Sequence, residues 1–173
     1  MMIRDATAAD LPAILTIYNE VIATTTAVFS ELPVTLANRQ TWWQERCAAG
    51  YPVLVAVGAG NGDTVLGNGE TVLGFASFGD FRSWPGYRHT VEHSVHVSVT
   101  ERGRGVGSAL VKALFPHAAA LRKHVMIAGV DAANLVSLRM HEGLGFERVA
   151  HFREVGRKFD RWLDLVFLQR YVD

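Results

Sequence analysis

A single cysteine, Cys47, stands among 173 residues. One thiol excludes an internal disulfide framework and fits a reducing compartment, so a cytoplasmic location is expected. No apolar run approaches the roughly 20 residues needed to cross a bilayer, and Met1-Met2-Ile3-Arg4-Asp5 is not the start of a signal peptide. Neither sign of charge is in excess, since 17 Lys and Arg balance 17 Asp and Glu. No overall field gathers nucleic acid or an anionic membrane, and neither is expected as a partner. His and carboxylate residues at a recognisable metal-ligand spacing are missing too, so no metal is expected. What remains is length enough for one domain, residues 1–173, with a sizeable core.

Apolar periodicity supplies the elements. Ile3-Arg4 reads as a short strand, and Ala6-Thr7-x-x-Asp10 as a helix start with Thr7 capping and Asp10 favourable in the first turn. Leu11, Ile14, Leu15, Tyr18, Val21 and Ile22 mark the first helix, which frays into Thr24-Thr25-Thr26. A second helix runs from near Thr35 to Gly50 with Trp42, Trp43 and Cys47. Pro52 to Val57 is a strand, and Val72 to Phe78 its hairpin partner. Between them Gly60-Asn61-Gly62-Asp63-Thr64-Val65-Leu66 is nearly repeated as Gly67-Asn68-Gly69-Glu70-Thr71-Val72-Leu73. This is a tandem duplication that lengthens a hairpin. Doubling a loop costs only about 0.6 kcal/mol in closure entropy, and the second copy, running into Phe75, holds the core register. Val91, Val95, Val97 and Val99 alternate as a strand. Val106, Ala109, Leu110, Ala113, Leu114, Ala118 and Leu121 share a helix face, with a kink or early end expected at Pro116. Val125 to Val130 is a buried strand, a short helix follows Asn134, and two strands, Glu147 to Val155 and Leu163 to Arg170, flank a Gly156–Trp162 turn.

The most informative stretch is Arg102-Gly103-Arg104-Gly105-Val106-Gly107, between the alternating strand and the helix. A strand feeding a glycine-rich turn that opens a helix aims several backbone N–H groups at one spot, with the positive helix end behind them, and that spot suits phosphate. A nucleotide P-loop needs Lys and then Ser or Thr after its last glycine, but Ser108 and Ala109 follow Gly107. A dinucleotide fingerprint needs G-x-G-x-x-G early in a β-α-β unit, whereas G-x-G-x-G stands here deep in the chain. The pyrophosphate of coenzyme A is the third reading, and a merely glycine-rich turn the fourth.

The rest of the chain favours the third. Arg102-x-x-Gly105-x-Gly107 resembles the Arg/Gln-x-x-Gly-x-Gly/Ala loop of the GNAT N-acetyltransferases. Asn134-x-x-Ser137, a short helix and Gly145-Phe146 fit the same superfamily. Phe78 to Ser83, Arg88 to Val95 and Lys158 to Asp164 resemble its phosphinothricin and methionine sulfoximine N-acetyltransferase branch. The resemblance implies an α/β fold of order β-α-α-β-β-β-α-β-α-β-β, a mixed and mostly antiparallel sheet with helices on both faces. It also implies acetyl-CoA as acetyl donor, an amino acid analogue as acceptor, direct transfer, and a homodimer, with the Lys158–Trp162 turn reaching toward the neighbouring subunit.

The resemblance likewise assigns residues. The backbone at Val95, His96 and Val97 would pair with the pantetheine arm as an added strand, one N–H facing the thioester oxygen. Backbone N–H groups of Gly103, Arg104, Gly105, Val106, Gly107 and Ser108 would take the pyrophosphate, and Asn134 would lie beside the pantetheine. Glu92 occupies the family's glutamate position and is the candidate base, against the plainer reading of a solvated or salt-bridged strand glutamate. His141 stands seven residues after Asn134, where many relatives carry a tyrosine. Its imidazolium could protonate the leaving thiolate, or the ring could only pack on the cofactor. Arg82, Ser83 and Trp84 with Glu92, His93 and Ser94 would surround the acceptor. Arg82 suits a carboxylate or phosphinate, with Arg88 an alternative and an ion pair to Asp80 the plain reading. His93 and His96 lie on opposite strand faces, so at most one is expected to face the site. Rival functions are an acetyltransferase for a polyamine, aminoglycoside or protein N-terminus, and a coenzyme A-binding module without turnover.

Overall fold

The apolar run 53–57 feeds two cores at once. Val53, Val55 and Val57 pack with Leu11, Ile14, Ile17, Val72 and Phe75, while Leu54 and Ala56 join Phe78, Leu110, Leu114 and Leu138. Alternate side chains of one strand point to opposite sheet faces, so a strand covered on both sides reads as continuously apolar. A computed structural model describes residues 1–58, 64 and 70–172. Its elements are β1 (Met2–Asp5), α1 (Leu11–Thr24), α2 (Leu36–Ala48), β2 (Val53–Gly58), β3 (Thr71–Asp80), β4 (Thr90–Val97), α3 (Val106–Ala120), β5 (Val125–Asp131), α4 (Leu135–Gly143), β6 (Glu147–Lys158) and β7 (Arg161–Tyr171). They follow the expected order. The seven strands lie as β1-β2-β3-β4-β5-β7-β6, with β4 and β5 parallel and every other neighbour antiparallel. Helices cover both faces, α1 and α2 on one, α3 and α4 on the other.

Local chemistry sets the helix starts. Asp10 accepts from the Thr7 backbone N–H at 2.7 Å and hydroxyl at 3.0 Å, closing a 3-10 turn that runs into α1. Arg4 donates to both oxygens of the same carboxylate at 2.8 and 2.9 Å. Thr35 caps α2 by accepting from the Asn38 N–H at 3.2 Å.

Four expectations are corrected. Helix α3 does not end at Pro116 but runs on to Ala120. Pro116 and Lys112, the residue whose carbonyl loses its helical donor, are both exposed, while Leu114 and Ala118 stay fully buried. Val111 is buried in that core and Leu121 is exposed, so the inward face lies slightly off the one read from the periodicity. Val99 leaves the strand pattern: β4 stops at Val97, and Val99 is exposed in a 3-10 turn. The final hairpin is tighter than a Gly156–Trp162 turn. Phe159 and Asp160 alone connect the strands with φ of 50° and 56°, the two positive values that a type I′ hairpin demands. Most of the duplicated 60–73 segment lies outside the described residues. Its end does carry register, with Val72 opposite Val57 in one core and Leu73 buried in the other.

Candidate active site

The two parallel strands part company early. Thr90, Val91 and Glu92 pair with Val125, Met126 and Ile127, and there the β4–β5 register ends. Beyond it β4 pairs only with β3, and β5 continues against β7. The facing edges, 93–97 and 128–131, therefore carry backbone groups with no strand partner, a template for an added extended chain. A cleft of about 440 Å³ occupies the gap, walled by Glu92 to His96 on one side and Ala128 to Asp131 on the other. Gly129 keeps it open, since a Cβ there would lie 3.0 Å from Glu92 Oε1.

Where β4 ends, the glycine loop begins. Gly103 and Gly105 have φ of 75° and 81°, a left-handed backbone that costs other residues about 1–2 kcal/mol, and both face open space. Gly105 is the N-cap of α3, and no side chain caps that helix end. The N–H groups of residues 103–108 have no hydrogen-bond acceptor among the described residues, and the first to find one is Ala109, on Gly105 O at 3.0 Å. Arg102 Nε donates to Val97 O at 3.2 Å, tying the loop to the strand end. The Arg104 guanidinium is engaged by buried Glu101 at 2.6 Å, which leaves its backbone as the anion-facing group. Open positive-φ turns with free N–H groups at a helix start suit a pyrophosphate.

Glu92 is half-buried on the cleft wall, and no hydrogen bond reaches its carboxylate among the described residues. Burial pushes its pKa above the ordinary carboxylate range, and the Arg82 charge pulls it part of the way back. Ser94 lies on the same wall. Arg82 itself is exposed, donates to Phe81 O at 2.8 Å and stacks on the Phe81 ring. Ser83 is exposed and Trp84 is 72% exposed. Neither these nor Arg88 line the cleft of the single chain, and Arg88 turns back onto Pro85 O at 3.2 Å.

Both His93 and His96 line the cleft, although their side chains leave opposite strand faces. The expectation that at most one would do so fails because the strand edge, and not a face, forms the wall. Burial, aided by His141 and His96, lowers the His93 pKa to about 3. Burial, with Arg39 and Arg102, lowers that of His96 to about 4. His141 is also lowered by burial, against the opposing pull of the Ser137 carbonyl. The imidazolium invoked for His141 is thus disfavoured. Geometry fixes the tautomers: His141 Nδ1–H donates to Ser137 O at 2.7 Å, so its Nε2 lone pair receives His93 Nε2–H at 3.2 Å. His141 is left without a free N–H, and His93 Nδ1 is a bare buried acceptor with no partner among the described residues. Asn134 caps α4 by accepting from Ser137 N–H at 3.1 Å and lines the cleft with Ser137 and His141.

One wall was missed in the sequence. Tyr18, Arg39, Trp42 and Arg46 reach the cleft from α1 and α2. The 39, 42, 46 spacing, i, i+3, i+7, is the signal that places them on one helix face. Among the described residues no group of three His, Cys, Asp or Glu side chains could hold a metal, and no helix is long and apolar enough to cross a membrane.

A mixed seven-stranded sheet, opened between its parallel strands beside an anion-ready helix start, is the acyl-CoA N-acyltransferase fold. The acetyltransferase (GNAT) family matches residues 14–146; the chain belongs to that family and is an N-acetyltransferase. It is 49% identical over 171 residues to an L-methionine sulfoximine/L-methionine sulfone acetyltransferase of Pseudomonas paraeruginosa, over 99% of this chain and 94% of that protein. An acetyltransferase of Salmonella typhimurium, solved with its cofactor acetyl-CoA, superposes with a TM-score of 0.92 at 43% identity, over 100% of this chain and 94% of that one. A phosphinothricin acetyltransferase of Sinorhizobium meliloti in complex with acetyl-CoA gives 0.90 at 35% identity, over 99% and 88%.

Proposed function

We propose that this protein transfers the acetyl group of acetyl-CoA directly to the α-amine of a small amino acid analogue of the methionine sulfoximine, methionine sulfone or phosphinothricin type. The observation that carries the proposal is Glu92: a carboxylate that, among the described residues, no hydrogen bond reaches, with a raised pKa, on the wall where β4 leaves β5. Acetyl-CoA supplies an acyl group activated as a thioester. The free N–H groups of 103–108 fit its pyrophosphate, and the open edge 93–97 fits its extended arm, with one N–H to polarise the carbonyl. An amino acid amine is largely protonated near neutrality, and each pKa unit above ambient costs about 1.4 kcal/mol. Glu92 takes that proton, directly or through water, and a base whose pKa is raised toward that of the amine does so with less loss. Cys47 is exposed and does not line the cleft, which supports transfer without an acyl-enzyme. We take Arg82, Ser83, Trp84, His93 and Ser94 as further acceptor-site residues, and His141 as the group that fixes the His93 tautomer. An exposed free thiol fits a cytoplasmic location. The homodimer finds support in Val149, Phe152, Val155 and Trp162, exposed on the edge strand β6 and on β7.

A thiol-release screen with acetyl-CoA tests the reading. Sulfoximine, sulfone and phosphinate amino acids should be acetylated far faster than spermidine, an aminoglycoside or an N-terminal peptide. The opposite order would overturn the proposed acceptor, and no release from any amine would favour a binding module.

Two variants probe the parts. Gly105→Ala places a Cβ on a left-handed residue inside the anion cradle, so KM for acetyl-CoA should rise about tenfold, the equivalent of 1.4 kcal/mol, with KM for the acceptor unchanged. An unaltered KM would place the pyrophosphate elsewhere. Arg82→Gln removes the charge that holds the Glu92 pKa down. The base then stays protonated to higher pH, so the acid limb of the kcat/KM profile should move upward. A limb that stays put would show that Glu92 does not set it.

A further inference from the structure

The α2 wall of the cleft carries two cations, Arg39 and Arg46, that make no ion pair among the described residues. Arg39 is 8% exposed, and its Nε and Nη2 both donate to the neighbouring Asn38 Oδ1, at 3.1 and 2.7 Å. Its Nη1 meets no acceptor among the described residues. The guanidinium carbon lies 4.3 Å from the centre of the Tyr18 ring and 5.0 Å from that of Trp42, and these rings with Asn38 hold the group in place before any ligand arrives. Two turns along α2, Arg46 lies against the Gly79 backbone, its Nε buried and without an acceptor. Neither arginine has a carboxylate within ion-pair distance among the described residues.

Burying an unpaired guanidinium is costly, and such groups in folded proteins ordinarily have a counter-charge. Here the two also repel, since Arg46 adds to burial in lowering the Arg39 pKa. Both side chains line the cleft that Glu92 lines. On β4, Glu92 and His96 leave the same strand face, and the His96 ring packs on Tyr18 and Phe75, so that face is the one turned to α1 and α2. One cavity thus holds a carboxylate able to meet an ammonium and, across from it, a pre-set forked cation.

From this we propose that Arg39, assisted by Arg46, binds the α-carboxylate of the acceptor, so that the site takes α-amino acid zwitterions and discriminates against amines that lack the carboxylate. Planar guanidinium donors match a carboxylate as a lysine would not. The assignment rests on the proposed function above, because it names the acceptor class of that same site. It adds a helix to the acceptor site: Arg82, on the loop after β3, acts on the Glu92 charge, and α2 supplies the contact to the carboxylate.

Calorimetric titration with L-methionine sulfone and with its decarboxylated counterpart, 3-(methylsulfonyl)propylamine, tests it. Wild-type protein should bind the amino acid about 100-fold more tightly than the amine. Arg39→Gln should bring the two within about threefold and Arg46→Gln should lower the ratio about tenfold, whereas Lys112→Gln, an exposed cation on α3 away from the cleft, should preserve it. Because Arg39 also packs on two rings, each variant is checked by circular dichroism. Should Arg39→Gln fail to fold, Arg39→Lys, which keeps the charge and loses the fork, and Arg46→Gln carry the test, each with about a tenfold loss of discrimination. A wild-type protein that does not discriminate, Arg39 and Arg46 variants that keep the full ratio, or a ratio that collapses in Lys112→Gln would each overturn the assignment. Failure of the function reading looks different: binding would still discriminate by the carboxylate, yet no thiol would be released from acetyl-CoA.

Discussion

Glu92→Gln is expected to lower kcat by about 10²–10⁴-fold, the usual contribution of a positioned general base, while leaving acetyl-CoA affinity unchanged. The substitution is nearly isosteric and removes only the charge and the proton-accepting capacity. Loss of activity through misfolding can be told apart by stability. Burial raises the folded-state pKa of Glu92 above its unfolded value, so its contribution to stability is present at low pH and is lost as pH rises through the folded pKa. At pH 8 the ionised side chain is therefore a cost that Gln removes. The variant should melt at or above the wild-type temperature at pH 8, and the difference should shrink toward pH 4. Residual activity that rises with pH, as free amine becomes available, would fit the same role. A variant retaining kcat within about threefold would take Glu92 out of the mechanism.

Lys158→Ala should produce the largest loss of stability, about 3 kcal/mol, or about 6–12 °C in Tm for a chain of this size. Lys158 is 1% exposed, and its ammonium donates to the carbonyls of Ile22, Thr25 and Val28 at 2.6, 2.6 and 2.8 Å. Those carbonyls end α1 and shape the segment beyond it, where Ala27 and Val28 line the cleft and the Thr26 hydroxyl bonds Asp131. Truncation leaves the buried Ile22 carbonyl and the half-buried ones of Thr25 and Val28 short of a charged donor, so the cleft wall should loosen along with the fold. The resemblance suggested that the 158–162 turn reaches toward a neighbouring subunit. Lys158 instead reaches inward, and of that turn Phe159 and Trp162 are the exposed aromatics. Differential scanning calorimetry checks the prediction, and a Tm change below about 2 °C would contradict it.

These two residues mark the boundary of what the sequence discloses. Glu92 could be placed on a strand, on the face opposite Val91 and Val95, because alternation is local and strong. Its raised pKa could not, since that depends on where β4 leaves β5 and on Gly129 across the gap. The glycine loop was legible for the same local reason: a strand, positive-φ turns and a helix in immediate succession. Contacts that cross the chain were not. His93 and His141 are 48 residues apart and meet through the packing of α4, while Lys158 meets Ile22 over 136. Arg39 and Arg46 stand in no motif that singles them out. Only the tertiary arrangement turns that face toward a cleft and leaves both arginines, among the described residues, with no carboxylate within ion-pair distance. Where local rules were over-applied, packing decided: Leu114 and Ala118 carry α3 past Pro116, and the sheet pairing carries β6 and β7 to a two-residue turn.

The account depends on an acetyl thioester lying in the opening between β4 and β5 with its phosphates on the glycine loop. Amide hydrogen exchange, residue by residue, on the protein with and without acetyl-CoA addresses this directly. Binding should slow exchange at Gly103 to Ser108 and at the free-edge amides within 93–97, and should leave the β1–β2 amides unchanged. Unaltered exchange in both segments under saturating acetyl-CoA, or protection confined to another surface, would contradict it.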